Sequence, residues 1–180
     1  VKTVSYHRYD LGDFAAIGAY AKANGLQTAM SEWTGGEIDT LFDDLTLANV
    51  SSWQKWAIAG RGVTSTVQAA YLTADFTNPA SPAFYPAINA ASLSLFFKYV
   101  RLGAVRVAAT SATMRAVAFV NADGSHVVVS KRTEGGGTGP VTFTGLKAGT
   151  YGVRAFPIGT SGGIDLPDVT VGAAGSVTVT

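Results

Sequence analysis

The sequence contains no cysteine and only two histidines. The lack of cysteine excludes disulfide scaffolds, thiolate nucleophiles and cysteine zinc sites. His7 and His126 lie far apart in the sequence, which gives weak support for a histidine-based metal site. The glycine-rich run 135–139 lacks the Lys-Ser/Thr pair of a phosphate loop, which argues against nucleotide binding. We therefore predict neither a metal ion nor another cofactor.

Charge and long apolar runs are also scarce. Charged residues make up 14% of the chain, and thirteen Lys and Arg against twelve Asp and Glu leave a formal net charge of +1. Nucleic-acid binders usually carry a clustered basic excess, so no nucleic-acid partner is expected. No uninterrupted apolar run approaches about 18 residues, so no membrane-spanning helix is expected. Hydrophobic residues nevertheless make up 47% of the 180 residues, which is typical of a globular protein.

The chain has no starting Met. It opens with Val1, inside a segment that already looks like a strand. We therefore expect it to be the mature or cut remainder of something longer.

The sequence changes character near Gly103. Before this residue, strand-like and helix-like apolar segments alternate. Strands are predicted at 1–9, 26–30 and 56–59, and helices at 11–24, at 37–49 and within 81–103. Such alternation predicts a parallel sheet with helical crossovers. Because we count three strands, this sheet would have two open edges.

After Gly103 the sequence is rich in Val, Thr and Gly, with turn signals at short intervals. Candidate strands cover 104–109, 115–121, 126–130, 141–144, 149–156, 164–171 and 176–180. The segment from Asn121 to Gly124 is a strong hairpin signal, because Asp-Gly tolerates positive φ. Seven short strands predict an antiparallel β-sandwich. The sequence therefore predicts two domains, residues 1–103 and 104–180.

Polar and aromatic residues cluster beside the predicted parallel strands. They are His7-Arg8-Tyr9-Asp10 at the end of the first strand, Ser31-Glu32-Trp33 at the end of the second, and Trp53-Gln54-Lys55-Trp56 leading into the third. In parallel α/β architecture, functional groups gather where strands end and loops begin. Carboxylates flanked by Trp and Tyr suit a sugar-cleaving site. Aromatic faces stack on pyranose rings, and a carboxylate attacks or stabilises an oxocarbenium-like carbon.

Each of these residues also has a purely structural interpretation. A lone glutamate after a strand, such as Glu32, is more often a loop ion-pair or capping residue. His7 is as readily a structural histidine. Trp53 and Trp56 could both be core residues, which is the usual fate of tryptophan.

The order of the motifs resembles the C-terminal part of glycoside hydrolase family 30. That family includes glucosylceramidases, endo-β-1,6-glucanases, galactanases and xylanases. The motifs are His-x-Tyr (His7, Tyr9), Ser-Glu-aromatic (Ser31, Glu32, Trp33) and Trp-x-x-Trp (Trp53, Trp56), and the stretches 95–107 and 116–129 are similar too. The resemblance covers roughly residues 3–156. It implies the C-terminal part of a (β/α)8 barrel, about three βα units, followed by an antiparallel β-sandwich.

The resemblance also implies an activity and a site. A family member would be a retaining glycoside hydrolase acting on β-linked glycans, so the partner would be a polysaccharide or oligosaccharide. Glu32 matches the nucleophile, and His7 and Tyr9 match residues that hydrogen-bond near it. Trp33, Trp53 and Trp56 are candidates for lining the sugar cleft. A secreted or extracellular location is expected.

One part of the family's machinery has no counterpart in this sequence. The acid/base glutamate of the family lies on an earlier barrel strand, and barrel strands one to five are absent here. We therefore expect activity when a separate or cleaved N-terminal barrel half completes the chain. The alternatives are a non-catalytic carbohydrate-binding module and a protein that self-associates through its open sheet edges.

Overall fold

The computed structural model describes residues 2–9, 12–35, 38–62, 70–133, 139–157 and 162–180. They belong to two compact units, Val1–Ser94 and Leu95–Thr180. Helices and many short strands are mixed, and the strands form several small sheets. Across the described ranges, no helix is long and apolar enough to cross a membrane. The predicted division at Gly103 stays a prediction.

The first sheet of the first unit is parallel, as the alternation of strand and helix predicted. Its strands are β1 (Thr3–His7), β2 (Gln27–Glu32) and β3 (Ser52–Trp53), in the order β1-β2-β3. Its connections are helix α1 (Phe14–Ala23) and helix α2 (Ile38–Asp43), and α2 continues into a π-helical turn (Asp44–Ala48). All carboxyl ends of these strands therefore lie at one edge of the sheet. Assignment of these elements to a barrel stays a prediction.

The third parallel strand is not where the apolar run WAIA predicted it. It consists of Ser52 and Trp53, whereas Trp56 and Ile58 lie outside any strand and are 56% and 76% exposed. Beyond β3 the chain still follows β2, because the backbone N–H of Gln54 donates to the Met30 carbonyl at 2.9 Å. Hydrophobicity alone was misleading, since this apolar run is not buried within the unit.

The first unit also contains a second sheet, which the sequence analysis did not predict. It contains β4 (Ala59–Arg61), β5 (Leu72–Asp75) and β6 (Ala83–Pro86), with β4 and β5 parallel and β5 and β6 antiparallel. Helix α3 (Ile88–Tyr99) follows. It starts after Pro86, since a proline lacks the N–H that a helix interior needs and biases its preceding residue toward extended geometry.

The core of the first sheet lies between its strands and the helical segments. Tyr6, Met30 and Ala48 are buried together. The residues packed against them are partly buried: Phe14, Ile17, Trp33, Val50 and Trp53. Gly18 lets α1 approach the π-helical turn closely, because a Cβ at this position would lie 2.3 Å from the Leu47 carbonyl oxygen.

The second unit contains the seven strands predicted from the sequence. They are β7 (Val105–Val107), β8 (Met114–Val120), β9 (His126–Arg132), β10 (Val141–Thr144), β11 (Gly149–Ala155), β12 (Ile164–Val171) and β13 (Ser176–Val179). Their pairings are antiparallel and form the sheets β7-β8-β9, β10-β13 and β11-β12. The antiparallel prediction is confirmed, and the β-sandwich stays a prediction.

The predicted hairpin signal is confirmed at the connection between β8 and β9. Gly124 has φ +81°, which a residue with a Cβ rarely adopts. The side chain of Asn121, 6% exposed, accepts from the Arg101 N–H at 2.9 Å and donates to the Tyr99 carbonyl at 3.0 Å. The turn is therefore tied to the chain segment that precedes β7.

Candidate functional site

Glu32 lies at the carboxyl end of β2, level with the end of β1. Tyr6 pairs with Met30, but His7 pairs with Glu32, so β2 contains one extra residue at this point. Strict alternation would put Glu32 on the face of Met30, which is completely buried. A bulge of this kind redirects the side chain that follows it. The irregularity therefore accounts for a partly exposed carboxylate beside His7.

The Ser5 and Ser31 hydroxyls form a hydrogen bond across β1 and β2, and Ser31 is the extra residue of the bulge. Beyond the strand end, the Arg8 N–H donates to the Glu32 carbonyl at 3.4 Å. The two strand ends are thus linked on both sides of Glu32.

The Tyr9 hydroxyl is the direct polar partner of the Glu32 carboxylate. Its polar neighbours are the Glu32 carboxylate and the side chain and backbone of Thr34. Partial burial raises the pKa of the Tyr9 phenol, and the neighbouring Glu32 carboxylate raises that pKa further. The phenol therefore stays a proton donor toward Glu32 at neutral pH.

Aromatic residues lie beside Tyr9. The Tyr9 ring centroid lies 5.4 Å from that of Trp33 and 6.1 Å from that of His7, the latter edge to face. The Trp56 N–H donates to the Trp33 carbonyl at 3.0 Å, and the Trp56 indole is 56% exposed. The structure thus brings together five of the six predicted site residues: His7, Tyr9, Glu32, Trp33 and Trp56. Their contact with sugar stays a prediction.

The loop after Glu32 is held by residues that the sequence analysis did not single out. A Cβ on Gly35 would lie 2.2 Å from the Trp33 Nε1, so the indole lies directly against a glycine backbone. The Lys55 ammonium, on a residue 7% exposed, donates to the Gly35 carbonyl at 3.3 Å. The Trp33 Nε1 is buried and has no hydrogen-bond partner among the residues described.

Trp53, the sixth predicted site residue, directs its indole N–H toward the buried Asp44. Its indole N–H donates to Asp44 Oδ2 at 2.8 Å, and its ring packs against the core formed by Tyr6, Met30 and Ala48. These contacts match the structural interpretation of this tryptophan. Its proposed part in lining a sugar cleft stays a prediction.

Asp44 is the charged residue of this region that sequence reasoning missed. Its side chain is completely buried, and Asp44 Oδ1 lies 2.8 Å from Arg8 Nη1 and accepts from the Tyr6 hydroxyl at 2.6 Å. Burial raises the pKa of Tyr6, and the bond to Asp44 adds to this effect. The sequence does contain an indication of this ion pair. Arg8 follows Tyr6 by two residues, so the strand pattern places the arginine on the same buried face as Tyr6. A buried arginine needs a buried acidic partner.

The described part of the chain holds no group of three or more His, Asp and Glu residues able to bind a metal ion. The groups at these strand ends are the Glu32 carboxylate, the Tyr9 phenol, the His7 imidazole and the indoles of Trp33 and Trp56. A carboxylate in this setting can act as a nucleophile or accept hydrogen bonds from a bound polyol.

Comparisons with known proteins give a fold rather than a family. No family model matches the chain, and no curated protein sequence matches it. Among solved structures, the chain is similar to the endo-beta1,6-glucanase BT3312, with a TM-score of 0.52 and 14% sequence identity. The match covers 97% of this chain and 39% of that one, so the chain spans about two-fifths of the length of that enzyme. The fold of this chain therefore occurs within a glucan-cleaving enzyme.

Proposed function

We propose that the chain is the C-terminal portion of a retaining glycoside hydrolase acting on β-linked glycans, with Glu32 as its nucleophile. The observation that carries this proposal is the contact of the Tyr9 hydroxyl with the Glu32 carboxylate at neighbouring parallel strand ends. Trp33 packs against Tyr9, and the Trp56 backbone is bonded to that of Trp33. A partly exposed carboxylate oriented by a phenol and bordered by indoles suits attack on a sugar carbon.

The fold similarity supports the same class of activity from an independent direction. The motifs of the sequence resemble family 30, which includes endo-β-1,6-glucanases, and the similar solved structure is an endo-beta1,6-glucanase. At 14% identity the similarity concerns the fold, so the activity is carried by the residues of the site. A glycan-related role is what both observations support.

In the proposed mechanism, a Glu32 oxygen attacks the anomeric carbon while the bond to the leaving oxygen breaks. A second carboxylic acid protonates that leaving oxygen, so that a glycosyl ester on Glu32 and a free alcohol result. Water then attacks the same carbon, the second carboxylate accepts the proton of that water, and Glu32 is released. Tyr9 orients the Glu32 carboxylate, and the exposed face of Trp56 is available to a sugar ring.

The second carboxyl group must come from outside this set of residues. Retaining enzymes place their two carboxyl groups about 5–5.5 Å apart. We assign the acid/base role to an N-terminal barrel half, whether continuous with this chain or separate from it. Secretion of the completed enzyme would agree with a polysaccharide substrate.

The test is an assay of aryl β-glycosides with the chain completed by its N-terminal barrel half. Glu32→Gln keeps the size of the side chain and removes the nucleophile, so we expect the rate to fall more than about a thousand-fold. Asp165→Asn, which changes an exposed carboxylate of the second unit, is the matched control and should keep full activity. Intact activity in Glu32→Gln would refute the assignment.

A non-catalytic carbohydrate-binding module is the second candidate function. The observation in its favour is that Tyr9 and Trp56 expose 43% and 56% of their surface, which leaves ring faces free for sugars. Titration with β-glucan and xylan oligosaccharides should then show binding that Trp56→Ala abolishes and Phe84→Ala, an equally exposed change in the second sheet, preserves. Absence of binding to any glycan would remove this candidate.

Self-association through the open sheet edges is the third possibility raised by the sequence. Sedimentation of the isolated chain tests it directly. A monodisperse monomer would argue against it.

A further inference from the structure

Arg8, between His7 and Tyr9 at the end of β1, is a cation held in place by several contacts. The Arg8 side chain is 9% exposed, and its Nη1 lies 2.8 Å from Asp44 Oδ1 and donates to the Thr40 carbonyl at 3.0 Å. The guanidinium carbon lies 4.1 Å from the Phe14 ring centroid. Arg8 is therefore held by the helical segments that follow β2 and by α1.

Asp44 is the centre of this anchor. Its carboxylate accepts a hydrogen bond from the Tyr6 hydroxyl of β1 at 2.6 Å and one from the Trp53 indole N–H of β3 at 2.8 Å. It also forms an ion pair with the Arg8 guanidinium. Among the described residues, Asp43 is a second charged group facing Arg8, and its Oδ2 lies 3.9 Å from Nη2. A buried carboxylate with several donors holds each of them in a narrow range of positions, because losing any bond leaves a buried polar group unsatisfied.

Arg8, which Asp44 anchors, directly precedes Tyr9 in the sequence. Strand β1 ends at His7, so Tyr9 lies beyond the regular ladder, and the Arg8 N–H donates to the Glu32 carbonyl at 3.4 Å. The Arg8 guanidinium also lies 6.0 Å from the Trp33 ring, against which the Tyr9 ring packs at 5.4 Å. Backbone and side chain of Arg8 thus connect Asp44 to the groups around Glu32.

We propose that Asp44 is a positioning residue, which acts through Arg8 to hold the Tyr9 hydroxyl against the Glu32 carboxylate. The role of Glu32 in this inference rests on the proposed function, whereas the geometry of the contact does not. Without Asp44, Arg8 loses its buried partner, the segment after β1 loses its anchor, and the Tyr9 hydroxyl spends less time on Glu32.

The titration of Tyr9 in the intact chain measures this contact directly. Tyrosines labelled with ¹³C at the ring carbon bearing the hydroxyl are followed by NMR from pH 8 to 12, and Tyr9→Phe identifies the Tyr9 signal among the seven tyrosines. Glu32→Gln, which removes the carboxylate, should lower the Tyr9 pKa, because the neighbouring Glu32 carboxylate raises it.

Two variants of the anchor are compared with that reference. Asp44→Asn keeps the shape of the side chain and removes its charge. The double variant Arg8→Met with Asp44→Asn removes both charges, leaves the net charge unchanged, and avoids the buried unpaired cation that could prevent folding. Both should lower the Tyr9 pKa toward the value in Glu32→Gln. Asp165→Asn, which breaks the Arg154–Asp165 pair of the second unit, should leave it unchanged.

The outcomes separate the two proposals. If Glu32→Gln lowers the Tyr9 pKa and the folded anchor variants do not, Asp44 is structural only and the positioning role is overturned, while the proposed function stands. If Glu32→Gln itself leaves the Tyr9 pKa unchanged, the contact between Tyr9 and Glu32 is absent. The observation that carries the proposed function then fails as well.

Discussion

Glu32 and Asp44 are carboxylates near the same strand ends, but their surroundings suit Asp44 to stabilising the fold and Glu32 to contacting a substrate. Asp44 is completely buried, and Tyr6, Arg8 and Trp53 occupy its oxygens. Glu32 is partly exposed and lies beside the Tyr9 hydroxyl. A carboxylate saturated by internal donors stabilises a fold, whereas one with free lone pairs can meet a substrate.

The Tyr6 hydroxyl makes stability depend on alkaline pH. Burial and the bond to Asp44 raise the Tyr6 pKa above that of an unfolded tyrosine, about 10. The stabilisation is complete below about pH 10. Above that pH the unfolded chain releases the proton that the folded chain retains, so stability falls as pH rises.

We therefore expect urea unfolding of the wild type to show a falling free energy of unfolding between about pH 9.5 and 11.5. Tyr6→Phe should start from a lower value at pH 8, because Asp44 loses a donor, and should decline less steeply. Tyr20→Phe, at a position 59% exposed, is the control and should follow the wild type. Equal slopes for Tyr6→Phe and wild type would contradict this prediction.

At the scale of elements, the close approach of α1 to the π-helical turn depends on one glycine. The mid-helix position of Gly18 would normally favour alanine by about 0.5–1 kcal/mol. The Cβ of an alanine, however, would lie 2.3 Å from the Leu47 carbonyl oxygen, a backbone atom that cannot rotate away. Helix propensity alone predicts that alanine at position 18 stabilises the protein, whereas the clash with the turn predicts that it destabilises it.

Gly18→Ala should accordingly destabilise the chain by about 1–3 kcal/mol. Gly12→Ala is a matched control, since its Cβ would have no atom within 4 Å, and it should change the stability by less than about 1 kcal/mol. Chemical denaturation of both variants against wild type measures the difference. A stabilising Gly18→Ala would show that α1 lies farther from the turn than the structure places it.

At the scale of the whole molecule, the near balance of charge governs solubility. The formal net charge is +1 at pH 7, from thirteen Lys and Arg against twelve Asp and Glu. Proteins with little net charge associate more readily, because repulsion between copies is weak. Acid protonates the carboxylates and leaves the thirteen basic side chains charged.

We expect light scattering to report the greatest association near neutral pH and less at pH 4.5, where the net charge is more positive. Added salt should weaken this pH dependence, since the effect arises from surface charge. Association that is equally strong at both pH values would instead point to pairing of sheet edges. That result would favour the self-associating alternative.

The sequence by itself determined the elements with strong local signals. The seven strands of the second unit follow from Val- and Thr-rich runs separated by turns, and Gly124 adopts the positive φ that its Asp-Gly signal predicted. The first two parallel strands and α1 were also predicted, because alternating apolar segments specify them locally. The residues at the carboxyl ends of the strands were found for the same reason.

Only the tertiary structure decided how those residues meet. The bulge that sets Glu32 level with His7 depends on pairing between strands twenty residues apart, and the partner of Arg8 lies thirty-six residues later in a π-helical turn. The apolar run before Ala59 is not the third parallel strand, because its Ala57 and Ile58 carbonyls accept from the Tyr71 and Leu72 N–H groups at the start of β5. Local patterns record propensity and periodicity, but a buried charge finds its partner through contacts between distant segments, which a single sequence does not display.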